Sequence, residues 1–246
     1  TFRRNRPILT HKHTAIRKAS IALALALACS SIGVASARDK KADAPPVASV
    51  DELPQGQEVS PTVIELAGWV VANRDSEGYP FAIMDKAAAQ ILVFGGDGRL
   101  RGAAPGLFGS ATGDHTAPGI AGLALREIPG RDRTTPAGRF VASLGRDLKG
   151  QDILWVDYDT SLALHRVVKG TPAERRAQRL ASATPLDNRI SYGCINIPVA
   201  AFETLVRPAF TDSSGVVYIL PEMSKASDMF KPADDGPRAE SAGSGS

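Results

Sequence analysis

The stretch Asn188-Arg189-Ile190-Ser191-Tyr192-Gly193-Cys194-Ile195-Asn196-Ile197-Pro198 holds the densest group of candidate functional residues in the chain. A cysteine follows a glycine there, between a β-like run and a polar residue, which is typical of a nucleophile on a tight turn. Gly193 allows the backbone to turn sharply and a substrate to come close. The backbone N–H groups around Gly193 and Cys194 are therefore predicted to point at the oxyanion of a tetrahedral intermediate.

The N-terminal 37 residues have the organisation of a secretory signal peptide. They contain six basic residues and no acidic ones, then an apolar core, Ile21–Ala28, and a possible cleavage site, Ala35-Ser36-Ala37. The apolar core is shorter than the ~20 residues that a membrane span needs. We therefore predict a protein secreted to the periplasm or cell envelope, with no integral membrane segment after cleavage of residues 1–37.

Removal of that segment changes the charge balance. The whole chain has 29 basic and 26 acidic residues, and loss of six basic residues leaves 23 and 26, a net charge of −3. The basic isoelectric point thus belongs to the precursor, so it is no argument for nucleic-acid binding, and we predict no nucleic-acid partner. The remaining residues are numerous enough for one substantial domain with a core.

Cysteine and histidine are scarce, which narrows the candidates for catalysis. Cys29 lies in the signal region, so the mature protein would keep one thiol, Cys194. A lone thiol in an oxidising compartment is either functional or a small buried hydrophobic residue. A thiol nucleophile needs a base, and the mature chain offers His115, in a Gly/Pro-rich loop, and His165, on a strand-like segment.

From Phe81 onwards the sequence has the pattern that is typical of a β protein. Short apolar runs are separated by glycine and proline. These runs are Phe81–Met84, Ala89–Phe94, Leu100–Ala104, Ile153–Tyr158, Leu162–Val168 and Val216–Leu220. Between the second and the third, Gly95-Gly96-Asp97-Gly98 is typical of a hairpin turn. The pattern predicts a mainly β domain with a few short helices.

The flanking segments differ in composition, and we predict the following boundaries. Residues 38–61 are polar and proline-rich and form a linker. Residues 62–78 are a short helical lead-in, with a helix over Thr62–Asn73 capped by Thr62 and Glu65. The main domain covers residues 79–222, and the polar tail 223–246 is disordered. Within the main domain, Thr171-Pro172-Ala173-Glu174 is a capping box that predicts a helix over Pro172–Ala181.

The nucleophile segment resembles the signature of the L,D-transpeptidase family, in which a histidine precedes Ser/Thr-His-Gly-Cys-hydrophobic-Asn/Arg. Here the positions read His165, then Ser191-Tyr192-Gly193-Cys194-Ile195-Asn196. Upstream, Thr135-Pro136-Ala137-Gly138-Arg139-Phe140 is similar to the family's Thr-Pro-x-Gly-x-Phe strand lead-in. The resemblance runs from about Pro80 to Pro221. It implies an L,D-transpeptidase-like β-sandwich or mixed-sheet domain.

The resemblance also implies a chemistry and a set of roles. The family attacks a diaminopimelate carbonyl in peptidoglycan stem peptides, expels D-Ala, and passes the thioester to an amine or to water. By position, Cys194 is the nucleophile, His165 the general base, and the backbone of Tyr192, Gly193 and Cys194 the oxyanion hole. The expected substrate-binding residues are Arg189, Ser191 and Asn196, although Asn196 has an equal claim to bracing the loop. No metal and no organic cofactor is implied.

Two departures from the family pattern stand out. Tyr192 occupies the position where most members have histidine, and that histidine is not the base, so the Cys194–His165 pair survives. The spacing from His165 to Ser191 is long, and the extra length matches the predicted helix over Pro172–Ala181, which we interpret as an insertion over the cleft. Its Arg175, Arg176 and Arg179 either receive substrate carboxylates or form a solvated face.

Three alternatives remain open from the sequence. An L,D-carboxypeptidase or a hydrolase of the same bonds would use water as acceptor. A catalytically inactive peptidoglycan-binding module would explain Tyr192, but the presence of both Cys194 and His165 argues against it. A lipid-anchored envelope protein would acylate Cys29, although Ala26-Leu27-Ala28-Cys29 is a poor lipobox.

Overall fold

The computed structural model describes residues 58–230. The predicted signal peptide, Cys29, most of the proline-rich linker and the tail beyond residue 230 lie outside the described residues. The predicted boundaries therefore stay predictions.

A mixed sheet of eight strands organises the domain, in the order β3-β2-β1-β10-β5-β6-β7-β9. The strands β1 and β10 pair in parallel, as do β7 and β9, and the other neighbours in the sheet are antiparallel. A second, two-stranded parallel sheet joins β4 to β8. The strands are β1 (Phe81–Asp85), β2 (Gln90–Phe94), β3 (Leu100–Pro105), β4 (Phe108–Gly109), β5 (Gly138–Arg146), β6 (Asp152–Asp157), β7 (Leu162–Arg166), β8 (Arg189–Ser191), β9 (Ile195–Ile197) and β10 (Gly215–Ile219). The prediction of a mainly β domain with short helices is confirmed, in its mixed-sheet form.

The middle of the sheet is covered on both faces, which explains its continuous apolar runs. All five residues of β1, β2 and β10 are buried. Phe81 and Ile83 face a cluster with the first helix, whereas Ala82 and Met84 face a second cluster with Phe202. A strand that is buried on both faces loses the apolar–polar alternation of a half-exposed strand. The runs therefore indicated strands but not which face each residue would occupy.

Residues 58–230 contain five α-helical segments besides short 3-10 and π-helical turns. The helices are α1 (Pro61–Asn73), α2 (Arg176–Leu180), α3 (Val199–Ala201), α4 (Arg207–Phe210) and α5 (Ala226–Phe230). A π-helical turn, Phe202–Val206, joins α3 to α4. The cap of α1 was predicted wrongly: Ser60, not Thr62, is the N-cap, and its Oγ accepts from the Val63 N–H at 3.4 Å. Proline at the first position, Pro61, starts the helix earlier because its fixed φ suits the first turn.

The helix predicted over Pro172–Ala181 is divided in two. A 3-10 turn, Pro172–Glu174, is followed by Arg175 in the left-handed conformation at φ 47°, and α2 begins at Arg176. Half of the capping box forms: Glu174 accepts from the Thr171 N–H at 3.3 Å, whereas the Glu174 N–H donates to the Thr171 carbonyl at 3.0 Å and not to its hydroxyl. After the break the Arg176 side chain is buried, so of the two roles expected for it, a solvated face is excluded.

In residues 58–230 no helix is both long enough and apolar enough to cross a membrane.

The edge of the sheet at β7 and β9 positions the candidate site. There the chain passes from β8 through a three-residue turn, Tyr192–Cys194, into β9, next to the strand that carries His165.

Candidate active site

The turn that carries Cys194 is held from two sides. Gly193 has φ 134°, and a Cβ there would lie 2.9 Å from the Thr134 carbonyl oxygen, so the position requires glycine. The Thr135 hydroxyl donates to the Gly193 carbonyl at 2.7 Å and accepts from the Gly109 N–H at 2.8 Å. Buried Ser191 accepts from the Gly193 N–H through its Oγ at 3.1 Å. These bonds fix the half-buried thiol at the end of a rigid turn.

The parallel pairing of β7 with β9 brings His165 and Cys194 to one cavity. Leu164 lies opposite Ile195 and His165 opposite Asn196, so Cys194 enters β9 one residue before the paired region. Residues 163 and 165 share a face of β7 because strand side chains alternate. A cavity of about 410 Å³ is accordingly lined by Ala163, His165, Cys194 and Asn196.

The hydrogen bond of His165 determines which ring nitrogen can act as a base. Its Nδ1 lies 2.8 Å from the carbonyl oxygen of Arg166. A carbonyl oxygen accepts only, so Nδ1 carries the proton and Nε2 is left as the acceptor. His115, the other candidate, is exposed, and its carbonyl oxygen accepts from the Thr134 hydroxyl at 2.7 Å. It lines neither cavity that contains Cys194.

Burial favours the neutral forms of both groups at rest. It raises the pKa of the Cys194 thiol above the ordinary 9.0, against the opposing effect of the Ala163 and Cys194 N–H groups. It lowers the pKa of His165 below the ordinary 6.5, and the nearby charge of Arg176 acts in the same direction. Cys194 Sγ lies 3.6 Å from the Ser161 carbonyl oxygen. A thiol in this state reacts as a nucleophile only after it has lost its proton.

Cys194 lies at the junction of two cavities. The second, about 90 Å³, is lined by apolar residues of the loop before β5, including Ile120, Leu123 and Ile128. The Cys194, Tyr192, Ser161 and Leu125 side chains line both cavities. Cys194 is thus approachable from two cavities.

Tyr192 is packed under an arginine. The Arg133 guanidinium carbon lies 4.3 Å from the centroid of the Tyr192 ring, and Arg133 Nε also donates to the Ile128 carbonyl at 3.0 Å. This is cation–π geometry, so the positive charge covers the ring. In the described part of the chain, the Tyr192 hydroxyl has no hydrogen-bond partner. Its ring, rather than its hydroxyl, is what the surrounding structure holds.

The three residues expected to bind substrate differ in their surroundings. Arg189 pairs with Glu222 and lines neither Cys194 cavity. Ser191 is 2% exposed, and its Oγ already accepts a hydrogen bond from the Gly193 N–H. Asn196 is 1% exposed; its Oδ1 accepts from Arg176 at 2.8 Å and its Nδ2 donates to the Cys194 carbonyl at 3.3 Å. Asn196 therefore braces the nucleophile turn, which is one of the two roles expected for it.

The three arginines between Pro172 and Ala181 lie in different surroundings. Arg176 lines the larger Cys194 cavity and is 7% exposed. Arg179 donates to the carbonyl groups of Glu174 and Asp187, so it braces the segment itself. Arg175 is exposed and lines a neighbouring cavity of about 340 Å³, which Arg176 also lines.

A buried charge cluster beneath the turn was not predicted from the sequence. Lys86 is 2% exposed, contacts Asp114 at 2.9 Å, and donates to the Thr135 carbonyl at 2.9 Å. Asp114 also accepts from the N–H groups of Glu222 and Met223, both at 2.8 Å. The sequence feature that could have indicated the cluster is Lys86 itself, a lysine between the two buried strands β1 and β2. Across residues 58–230 no group of three or more His, Cys, Asp or Glu residues could hold a metal ion.

Solved L,D-transpeptidases match this chain. One is an L,D-transpeptidase (residues 123–326) from Xylanimonas cellulosilytica, which is 17% identical to this chain. The match covers 57% of this chain and 60% of that chain, with a TM-score of 0.34. Another is the catalytic domain of the E. faecium L,D-transpeptidase, which is 14% identical. That match covers 57% of this chain and 95% of that chain, with a TM-score of 0.35. The helical cell shape determining protein Pgp2 from Campylobacter jejuni also matches, with 14% identity, 60% of this chain, 49% of that chain and TM-score 0.38.

The Xylanimonas and E. faecium structures are of the family that the Ser-Tyr-Gly-Cys segment resembles. The chain spans about three fifths of the length of the Xylanimonas protein, as 60% of that chain is covered. No protein-family model matches the chain, and no curated protein matches it significantly.

Proposed function

We propose that this protein is a cysteine L,D-transpeptidase that acts on peptidoglycan stem peptides, with Cys194 as nucleophile and His165 as general base. The observation that carries the proposal is the β7–β9 pairing, because it puts a histidine with a free Nε2 and a thiol on a Gly193 turn into one cavity. The sequence motif adds the substrate class. The neutral resting state of both groups suits a base that takes the thiol proton during attack.

The proposed reaction has two halves. Nε2 of His165 takes the thiol proton, the sulfur bonds to the donor carbonyl carbon, and the carbonyl electrons move to oxygen. Collapse of this intermediate breaks the C–N bond to D-Ala, which leaves as an amine after it receives the proton from Nε2. In the second half an amine of another stem attacks the thioester, Nε2 takes its proton, and the C–S bond breaks. The sulfur then recovers a proton from His165.

The oxyanion needs N–H donors close to the sulfur. Tyr192, Gly193 and Cys194 are the proposed residues. The Gly193 N–H is engaged by Ser191 Oγ in the resting structure, so we assign the donor role to the N–H groups of Tyr192 and Cys194. Gly193 then contributes the sharp turn that exposes them.

The two cavities that meet at Cys194 suit two substrates. We propose that the donor stem and the acceptor amine approach from opposite sides. The protein would act outside the cytoplasm, following the predicted signal peptide. The mass of the mature N-terminus tests that part separately.

The decisive experiment incubates the mature protein with purified muropeptides and identifies products by mass spectrometry, with Cys194→Ala as the matched control. We expect cross-linked dimers and a D-Ala release that Cys194→Ala abolishes. Trimmed stems without dimers would instead identify an L,D-carboxypeptidase or hydrolase. The absence of any product from the folded wild type would overturn the proposal and favour an inactive peptidoglycan-binding module.

A further inference from the structure

Arg176 is a buried cation beside the proposed nucleophile. Its side chain is 8% exposed, yet it lines the 410 Å³ cavity together with Cys194 and His165. Its Nε donates to Glu174 at 2.6 Å and its Nη1 to Asn196 Oδ1 at 2.8 Å. Burial of a guanidinium is costly unless its position is well determined by partners. Here both partners hold it at the wall of the cavity.

Two of the three guanidinium nitrogens are occupied, and the third is free to bind a ligand. Among the described residues Nη2 has no hydrogen-bond partner. It is also absent from the buried atoms that lack a partner, so it is accessible to solvent. A guanidinium has five N–H donors and two are used here, so Nη1 keeps one and Nη2 keeps two. One N–H from each of these two nitrogens can form the paired hydrogen bonds by which arginine binds carboxylates.

The other charged groups of the cavity are engaged or exposed. Arg166 binds Glu203 and the Asp152 carbonyl, and Asp152 in turn pairs with Arg207. Asp147 accepts the Lys149 and Gln151 N–H groups, both at 2.8 Å. Lys149 is exposed at the rim of the cavity. Arg176 is therefore the buried cation of the cavity that retains unused donors.

We propose that Arg176 binds a carboxylate of the acyl donor beside Cys194, with Glu174 and Asn196 holding the guanidinium in place. This inference rests on the proposed function for the identity of the substrate. Stem peptides offer more than one carboxylate, that of the expelled terminal residue and those of internal residues. The shared chemistry is a carboxylate within reach of the thiol, and Arg176 selects donors that carry it.

A test that does not depend on the natural substrate uses two small alkylating reagents. Iodoacetate and iodoacetamide differ in charge but not in the leaving group, so their rate ratio at Cys194 measures attraction of an anion. A change in thiol pKa affects both rates alike and cancels. We expect Arg176→Gln to lower the iodoacetate-to-iodoacetamide ratio about fivefold, the scale of one charge at about 4 Å in water.

Matched controls separate Arg176 from its neighbours. Arg175→Gln removes the adjacent charge outside the cavity, and Lys149→Gln removes the exposed charge at its rim; both should keep the wild-type ratio within about twofold. The double variant Glu174→Gln/Arg176→Gln leaves no unpaired, half-buried carboxylate at position 174, so it protects against a folding defect. A wild-type ratio in either folded Arg176 variant, or a loss in Lys149→Gln instead, would overturn the proposal.

A second arm uses muropeptide donors in which single carboxylates are converted to amides. Arg176→Gln should raise KM for the native donor, with a smaller effect on kcat. Amidation of the recognised carboxylate should make wild type and variant equal, which identifies the terminal or internal source. Equal sensitivity of both proteins to every amidation would contradict the inference. If the wild type turns over no muropeptide, the proposed function fails while the alkylation ratio still decides the role of Arg176.

Discussion

Thr135 Oγ1 donates a hydrogen bond to the carbonyl oxygen of Gly193 at 2.7 Å, across 58 residues of sequence. The same hydroxyl accepts from the Gly109 N–H, and Thr135 is fully buried. One side chain thus ties the lead-in of β5 and the strand β4 to the nucleophile turn. This contact gives a physical reason for the threonine of the Thr-Pro-x-Gly-x-Phe segment.

Thr135→Val should destabilise the protein and misplace the thiol. Valine has nearly the same shape but leaves the Gly193 carbonyl and Gly109 N–H without their partner, at a cost of about 1–3 kcal/mol in the free energy of unfolding. Thr135→Ser keeps the hydroxyl and serves as the control. Chemical denaturation and the iodoacetamide rate at Cys194 measure the two effects. Equal stability of the Val and Ser variants would contradict this role.

His165→Gln should abolish acyl transfer, whereas His115→Gln should leave it near the wild-type rate. A base must lie within hydrogen-bond reach of the proton that it takes, and only His165 of these two lines a cavity with Cys194. We also expect His165→Gln to slow the modification of Cys194 by iodoacetamide near neutral pH, because the base that takes the thiol proton is lost. A slower modification in His115→Gln alone would show that the base is assigned to the wrong histidine.

Tyr192→Phe should retain most of the activity, because the ring stays under Arg133 and the hydroxyl has no partner among residues 58–230. Tyr192→Ala should lose the cation–π contact, worth about 0.5–2 kcal/mol, and loosen the turn. Steady-state kinetics and thermal unfolding distinguish the two. A loss of about 10²-fold in Tyr192→Phe would mean that the hydroxyl acts as an oxyanion donor instead.

The acid limb of kcat/KM should lie below pH 6.5. His165 must be neutral to accept a proton, and burial, helped by the Arg176 charge, lowers its pKa from 6.5. Asp147 acts in the opposite sense, since its negative charge favours the imidazolium. Asp147→Asn removes that charge and should move the limb to still lower pH. A limb above pH 6.5, or an upward movement in Asp147→Asn, would contradict the assignment.

Lys86→Met should be strongly destabilising, by about 3–5 kcal/mol, because it leaves Asp114 buried without its cation. Adding Asp114→Asn should restore part of the loss by removing the unpaired charge. Urea denaturation of the two single variants and the double variant gives the coupling energy. Additive losses would show that the pair acts as two independent groups.

Local pattern predicted the strands well, because burial leaves a direct signature in the sequence. The runs Phe81–Met84 and Val216–Leu220 became β1 and β10, and the Gly95–Gly98 hairpin joins β2 to β3 with a Gly98 N–H to Gly95 carbonyl bond of 2.9 Å. Gly193 was also predicted as a turn glycine, which agrees with its φ of 134°. Strands, hairpins and backbone turns of this kind depend on neighbours in the chain.

The sequence by itself determined a mainly β domain, a thiol on a glycine turn and a histidine on a strand. Only the tertiary structure decided which partners the charged residues take. Arg189 meets Glu222 33 residues away, Lys86 meets Asp114 28 residues away, and Arg176 turns inward to Asn196, breaking the predicted helix at Arg175. A charged side chain has the same local pattern whether it faces water or a buried partner. Its role is therefore decided by the desolvation and pairing that folding imposes.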